Sequence, residues 1–151
     1  MLAAFFTVTG YRAYKRRALA ECEGFLDFLS AALREISVSG APLDRLVRRC
    51  GDGPLFECGF YAAFLKEGSL ASAFETVRTK LSIPKDAAKM LSDLFAQLGR
   101  SSVGCEVRLL ENGVSELKEI ITEYKRESER SMRVVSVVAV AIALGISILL
   151  V

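Results

Sequence analysis

The stretch VGCEVRLLENGVSELKEIITEYKRESERSMRVVSVVAVAIALGISILLV, residues 103–151, decides how the rest of the chain is read. Its first half places Val103, Val107, Leu110, Val114, Leu117, Ile121 and Tyr124 at separations of 4, 3, 4, 3, 4 and 3. That spacing lines one face of a helix with a heptad seam. Asn112 and Gly113 interrupt it, the glycine at a cost of about 1 kcal/mol in helix propensity. After Arg133 the pattern changes. Val134 to Val151 are 18 residues without a charge, and only Ser136 and Ser147 are overtly polar. At ~1.5 Å per residue they extend about 27 Å, against ~30 Å of bilayer hydrocarbon. We read residues 134–151 as a C-terminal transmembrane helix, and Gly145 is compatible with one because glycine is commoner in such helices than in soluble ones.

The opposite end is also apolar. MLAAFFTVTGY, residues 1–11, gives only ~17 Å of helix, too short to span. A secretory leader would put its basic residues ahead of the apolar run. Here Arg12, Lys15, Arg16 and Arg17 follow it, and no small-residue cleavage site is evident. The segment fits a half-inserted anchor, a short span with Arg12 snorkelling, or a start codon placed too late. We expect a short N-terminal anchor over residues 1–11 whose beginning lies outside this chain.

Basic residues flank both apolar segments on the side of the charged body. Arg12, Lys15, Arg16 and Arg17 follow the first; Lys125, Arg126, Arg130 and Arg133 precede the last. Cytoplasmic flanks of membrane helices are enriched in Lys and Arg, and acids such as Glu127 and Glu129 count little in that bias. The body, residues 12–133, is therefore expected in the cytoplasm. Cysteine usage agrees: Cys22, Cys50, Cys58 and Cys105 form no CxxC pair and are expected as reduced thiols, with Cys22 and Cys105 on apolar faces.

The body reads as all-α. Leu19, Cys22, Leu26, Leu29, Leu33 and Ile36, separated by 3, 4, 3, 4 and 3, form a second seam on a long helix that stops at SVSGAP, where Gly40 can cap and Pro42 prevents continuation. Between the seams lie short helical segments: PLDRLVRRC, LFECGFYAAFLKEG, SLASAFETVRTKL with Ser69 as N-cap, and PKDAAKMLSDLFAQLG with Pro84 in its first turn and a stop at Gly99. No strand-like alternation occurs. The sum is a bundle of roughly six helices whose long first and last members run antiparallel into the terminal anchors. Phe60, Tyr61 and Phe64 are expected in its core.

The chemistry that such a body can perform is narrow. Hydrophobic residues make up 52% of the chain and charged residues 25%, but histidine is absent. That removes Ser-His and Cys-His nucleophile pairs and histidine metal sites. There is no phosphate-binding glycine motif, since CGDGPLFECG lacks the lysine and the preceding strand. A net charge of +2, without aromatic-plus-basic runs, gives no case for nucleic acid. We expect no catalysis, no cofactor, no metal and no small-molecule substrate. Acids in ELKEIITEYKRESER read as a solvated face, with Glu123 paired to Arg126 or Glu127 to Arg130. Arg45, Arg48 and Arg49, on a short helix far from the membrane, are the candidate partner-binding cluster.

The order of a terminal anchor, a basic stretch, a long heptad helix, GAPLDRLVRR, FLKEGSLASAFETV, DAAKMLSDLFAQLG and a helix entering a C-terminal span resembles the stage III sporulation protein AB family of spore-forming bacteria. The carrying features are the turn at Gly40 to Leu43, Asp86, and the stop at Leu98 and Gly99. The family usually places Asp and Gln after that stop, where this chain has Ser102 and Glu106. The resemblance implies a cytoplasmic domain similar to platform protein F of type II secretion and type IV pilus systems. It implies a platform in the channel between mother cell and forespore, in the mother-cell or outer forespore membrane. Its partners would be membrane lipid, a secretion-type ATPase and other membrane subunits, with homo-oligomerisation compatible. The alternative reading from another class is a small membrane-anchored signalling or regulatory protein that dimerises through its seams.

Overall fold

A computed structural model describes the backbone over residues 2–39, 43–100 and 102–149, and the side chains of these except 2–8, 39 and 44. The described residues form seven helices and no strand: α1 (Leu2–Ser39), α2 (Leu43–Arg49), α3 (Pro54–Glu57), α4 (Phe60–Glu67), α5 (Leu70–Arg78), α6 (Lys85–Gln97) and α7 (Val103–Leu149). The expected turn at Gly40 and Pro42 lies outside the described residues. The segment read as one helix at LFECGFYAAFLKEG is two, because Gly59 adopts φ +84° and breaks the backbone ladder between α3 and α4. That left-handed conformation costs glycine little and other residues much. Ser69 caps α5 as expected, its hydroxyl accepting the Ser72 N–H. Pro84 stands one residue ahead of α6 rather than inside its first turn.

Helices α1 and α7 pack on each other, and the short helices follow one another around the remaining side, each in contact with the next from α3 to α7. The core face of α1 is Ala18, Cys22, Phe25, Leu29, Ala32 and Ile36, a 4, 3, 4, 3, 4 stripe. The seam read from the sequence shares Cys22, Leu29 and Ile36 with it. Leu19, Leu26 and Leu33 flank the stripe half-buried. The buried face is turned toward Phe25 because the short helices offer aromatic rings there. Phe25 meets Phe60 at 5.2 Å and Phe74 at 5.6 Å, both edge-to-face, and Phe95 at 6.2 Å. Edge-to-face pairs are favourable beyond the area they bury. Phe60, Tyr61 and Phe64 are all core, as the sequence suggested.

On α7 the buried stripe is Leu110, Gly113, Leu117 and Ile121, with Val107, Val114 and Tyr124 half-buried and Val103 exposed. Gly113, an interruption in the seam by sequence, is where α6 approaches closest. A Cβ there would lie 2.7 Å from Leu94 Cδ2. The weak helix former is therefore placed by packing. Beyond Gly99 the carboxylate of Glu106 accepts the Gly99 N–H at 2.9 Å, tying the start of α7 back to the end of α6. A glutamine oxygen would accept the same bond, so the departure at this position keeps its acceptor.

Packing sets the expected mutational costs. Phe25→Ala should lose about 3–5 kcal/mol of stability, as buried aromatic truncations do. Gly113→Val should lose about 1–3 kcal/mol by overpacking against Leu94, and Gly113→Ala less, since ~1 kcal/mol of helix propensity offsets the clash. Denaturant unfolding of the full chain in detergent micelles, followed by far-UV circular dichroism, reads all three.

Candidate functional site

The site the sequence points to is the neck where α1 and α7 leave the body. Among the described side chains, the first buried residue on α1 is Ala18 and the last on α7 is Ile121. Just outside that pair, the Lys15 ammonium sits over the Tyr124 ring at 4.3 Å and over the Tyr11 ring at 5.5 Å. The outer end of the α1 stripe thus meets the outer end of the α7 stripe. The two helices are antiparallel, and the N-terminal turns of α1 and the C-terminal turns of α7 leave on the same side. Burial works against the charge on Lys15, but its hydrogen bond and attraction to Tyr124, aided by Tyr11, outweigh it and raise its pKa above the ordinary lysine value. Burial raises the Tyr124 phenol in turn. A second tie across the pair is the 2.8 Å bridge from Lys125 to Glu23, both about half exposed and so of small energetic weight.

One charge near the neck is buried. Glu21 is 3% exposed, the one charged residue among the described core positions. Its carboxylate takes the Arg17 guanidinium at 2.9 Å and the backbone N–H of Ser82 at 2.6 Å, while Arg17 also donates to the Lys80 carbonyl. Glu21 therefore fastens the connection between α5 and α6 to α1. No local pattern signals this, because residue 82 is distant from residue 21 in the chain. Arg17, expected as a membrane-flanking base, is engaged here; Lys15 is held by the tyrosines. Arg12, Arg16, Arg130 and Arg133 are exposed and have no ion-pair partner among the described residues.

Below the neck α7 continues unbroken. Ser131, Met132 and Val135 are half-buried, and from Ser136 to Leu149 every residue is exposed. Val137 and Val138, for example, are bare at 68% and 50%. This is the one helix among the described residues long and apolar enough to cross a membrane, and its apolar window is not buried at all. A core helix of a globule would be covered; this one is not. The apolar residues 1–8 carry no described side chains, and the backbone of α1 is helical from Leu2.

Two further features complete the surface. A groove of about 270 Å³ between α6 and α7 brings Asp86 together with Glu119, Glu123 and Glu127, over Ile120 and Tyr124. Sequence showed the three glutamates as one face of α7; only the fold adds Asp86. Glu123 also pairs with Arg126 at 3.8 Å, as expected, on an exposed surface. At the far end Arg49 reaches Glu35 at 3.3 Å, while Arg45 and Arg48 are exposed. Glu35 lies about 30 Å farther along α1 than Lys15 at ~1.5 Å per residue. The three arginines thus share one helix but not one role. No group of three or more His, Cys, Asp or Glu side chains able to hold a metal occurs among the described residues.

A family model described as stage III sporulation protein AB matches residues 1–151. The chain belongs to that family. A role in stage III of sporulation follows, for a helical bundle with one apolar helix able to anchor it in a membrane. No curated protein and no solved structure matches the chain.

The four cysteines are free, as expected. Cys22 is buried, and burial, with Glu21 and Glu23 nearby, pushes its thiol up to about 12. Cys105 was expected on an apolar face and is exposed instead, because it lies two residues from both Val103 and Val107, on the side of α7 away from the seam. Iodoacetamide at pH 8 should modify Cys105 readily and Cys22 only after unfolding. The raised Cys22 pKa favours the folded state at pH values below the ordinary thiol range near 9. That contribution is drawn down as pH rises toward about 12. Unfolding curves should show a shallower alkaline fall in Cys22→Ala. Glu21→Ala should cost about 1–3 kcal/mol by orphaning the Ser82 N–H, measurable in the same unfolding experiment.

Proposed function

We propose that this chain is a non-enzymatic, membrane-anchored platform in the channel between mother cell and forespore. It holds residues 12–133 as a bundle in the mother-cell cytoplasm. It couples a secretion-type ATPase to membrane subunits, with its tail in the mother-cell or outer forespore membrane. The single observation that supports this reading is the continuity of α7. One 47-residue helix, Val103–Leu149, is first a wall of the bundle and then a bare apolar rod. At ~1.5 Å per residue it is about 70 Å long. A displacement imposed on the body by a motor passes down it with no loop in between. Family membership supports the sporulation setting, and the basic flanks support the orientation. The far-end arginines Arg45 and Arg48 are exposed away from the neck, where a cytoplasmic partner has access.

The alternative of a dimer formed through the seams has lost its surface. Leu29, Leu110 and Leu117 are fully buried within this one chain. Self-association would need another face.

Cys105 is a native reporter of topology. In sporulating cells a membrane-impermeant maleimide should leave Cys105 unmodified until the cells are permeabilised, and co-precipitation should recover a secretion-type ATPase or channel subunits. Labelling of intact cells would reverse the orientation and remove the ATPase from reach.

A further inference from the structure

We propose that the neck is a binding site for the phosphate headgroups of anionic phospholipids. The proposal rests on the anchor reading above and adds a lipid chemistry to it. Four exposed cations, Arg12, Arg16, Arg130 and Arg133, carry no ion pair among the described residues. The acids nearest on α1, Glu21 and Glu23, are committed to Arg17 and Lys125. On α7, Glu127 lines the acidic groove against α6, and Glu129 is exposed.

Height fixes where these cations act. Arg133 and Arg130 stand one and four residues above the bare run that starts at Val134, about 1.5 and 6 Å at ~1.5 Å per residue. The polar layer on each side of a bilayer is about 5–8 Å deep, from ~40–45 Å overall and ~30 Å of hydrocarbon. Both arginines therefore fall inside it. Val134 lies ten residues below Tyr124, about 15 Å at ~1.5 Å per residue. Arg12, three residues below Lys15, therefore stands about 10 Å above the bare run, and its side chain is long enough to snorkel down to the headgroups, while Arg16 stands about 16 Å above the run. Tyr11, 39% exposed, is one residue from Arg12 and at nearly the same height. Exposed tyrosines prefer the headgroup region, with the ring toward the tails and the hydroxyl in water. The tyrosine-held Lys15 keeps α1 beside α7, so the exposed arginines of both helices stand on the membrane side of the body. Guanidinium groups suit phosphate, which accepts two parallel N–H bonds from each.

The test uses the full chain in neutral detergent micelles, with phosphatidylglycerol, phosphatidylcholine or inorganic phosphate added, and native mass spectrometry to count retained lipid. A basic residue near an anionic surface is worth about a fivefold change in partitioning. Phosphatidylglycerol should be retained at least about fivefold over phosphatidylcholine. The preference should vanish when Arg12, Arg16, Arg130 and Arg133 are replaced by glutamine, and persist in Arg45→Gln/Arg48→Gln. If the fourfold variant loses helicity, the pair Arg130→Gln and Arg133→Gln serves, with a partial loss expected. Equal retention of both lipids, or an unchanged preference in the neck variants, overturns the site. Competition by millimolar inorganic phosphate alone would assign it to free phosphate and overturn the lipid. Failure of the anchor reading looks different: the chain would stay monodisperse in water once detergent is removed.

Discussion

The antiparallel contact of α1 with α7 is the constraint on which the rest depends. Cys22, Phe25 and Leu29 on one helix and Leu110, Leu117 and Ile121 on the other bury themselves within one core. Once that pairing is made, both chain ends must leave the bundle on the same side, and every intervening helix must fit into a return path between the far end of α1 and the start of α7. The short helices do this with the aromatic cluster around Phe25. Its rings reach α4, α5 and α6 at once, through Phe60, Phe74 and Phe95. A helix pair without that filling would leave one side of α1 in water.

The same geometry separates the molecule into parts with different work. The body is charged outside and packed inside, with a single buried carboxylate, Glu21, spent on fastening a loop. The tail has no interior at all. Between them the neck concentrates cations that the body does not neutralise. The chain contains no histidine. Its surfaces are what it has: the arginines at the far end, the acidic groove beside α6, the neck and the apolar rod.

Some misreadings share a cause. The α1 seam was displaced onto Leu19, Leu26 and Leu33 because leucine is a stronger apolar signal than alanine. Yet Ala18 and Ala32 are the buried positions, at 0% and 1% exposure. Gly113 looked like a flaw in a heptad, and its reason is a leucine on another helix. In each case periodicity located a face correctly, and what touches the face was missing.

The sequence by itself determined the helical class, the two long seams, the apolar tail with its basic flank, and the Ser69 cap, but not the break at Gly59. These are properties of residues near one another along the chain, and 3.6-residue periodicity, capping chemistry and hydrophobic length read them directly. Tertiary structure alone decided that Lys15 meets Tyr124, that Glu21 holds Ser82, that Asp86 joins Glu119 and Glu123 in one groove, and that Phe25 rather than Leu26 faces the core. Those pairings join residues far apart in the chain. They depend on the three-dimensional register of α1 against α7, which many local patterns of equal quality would have allowed.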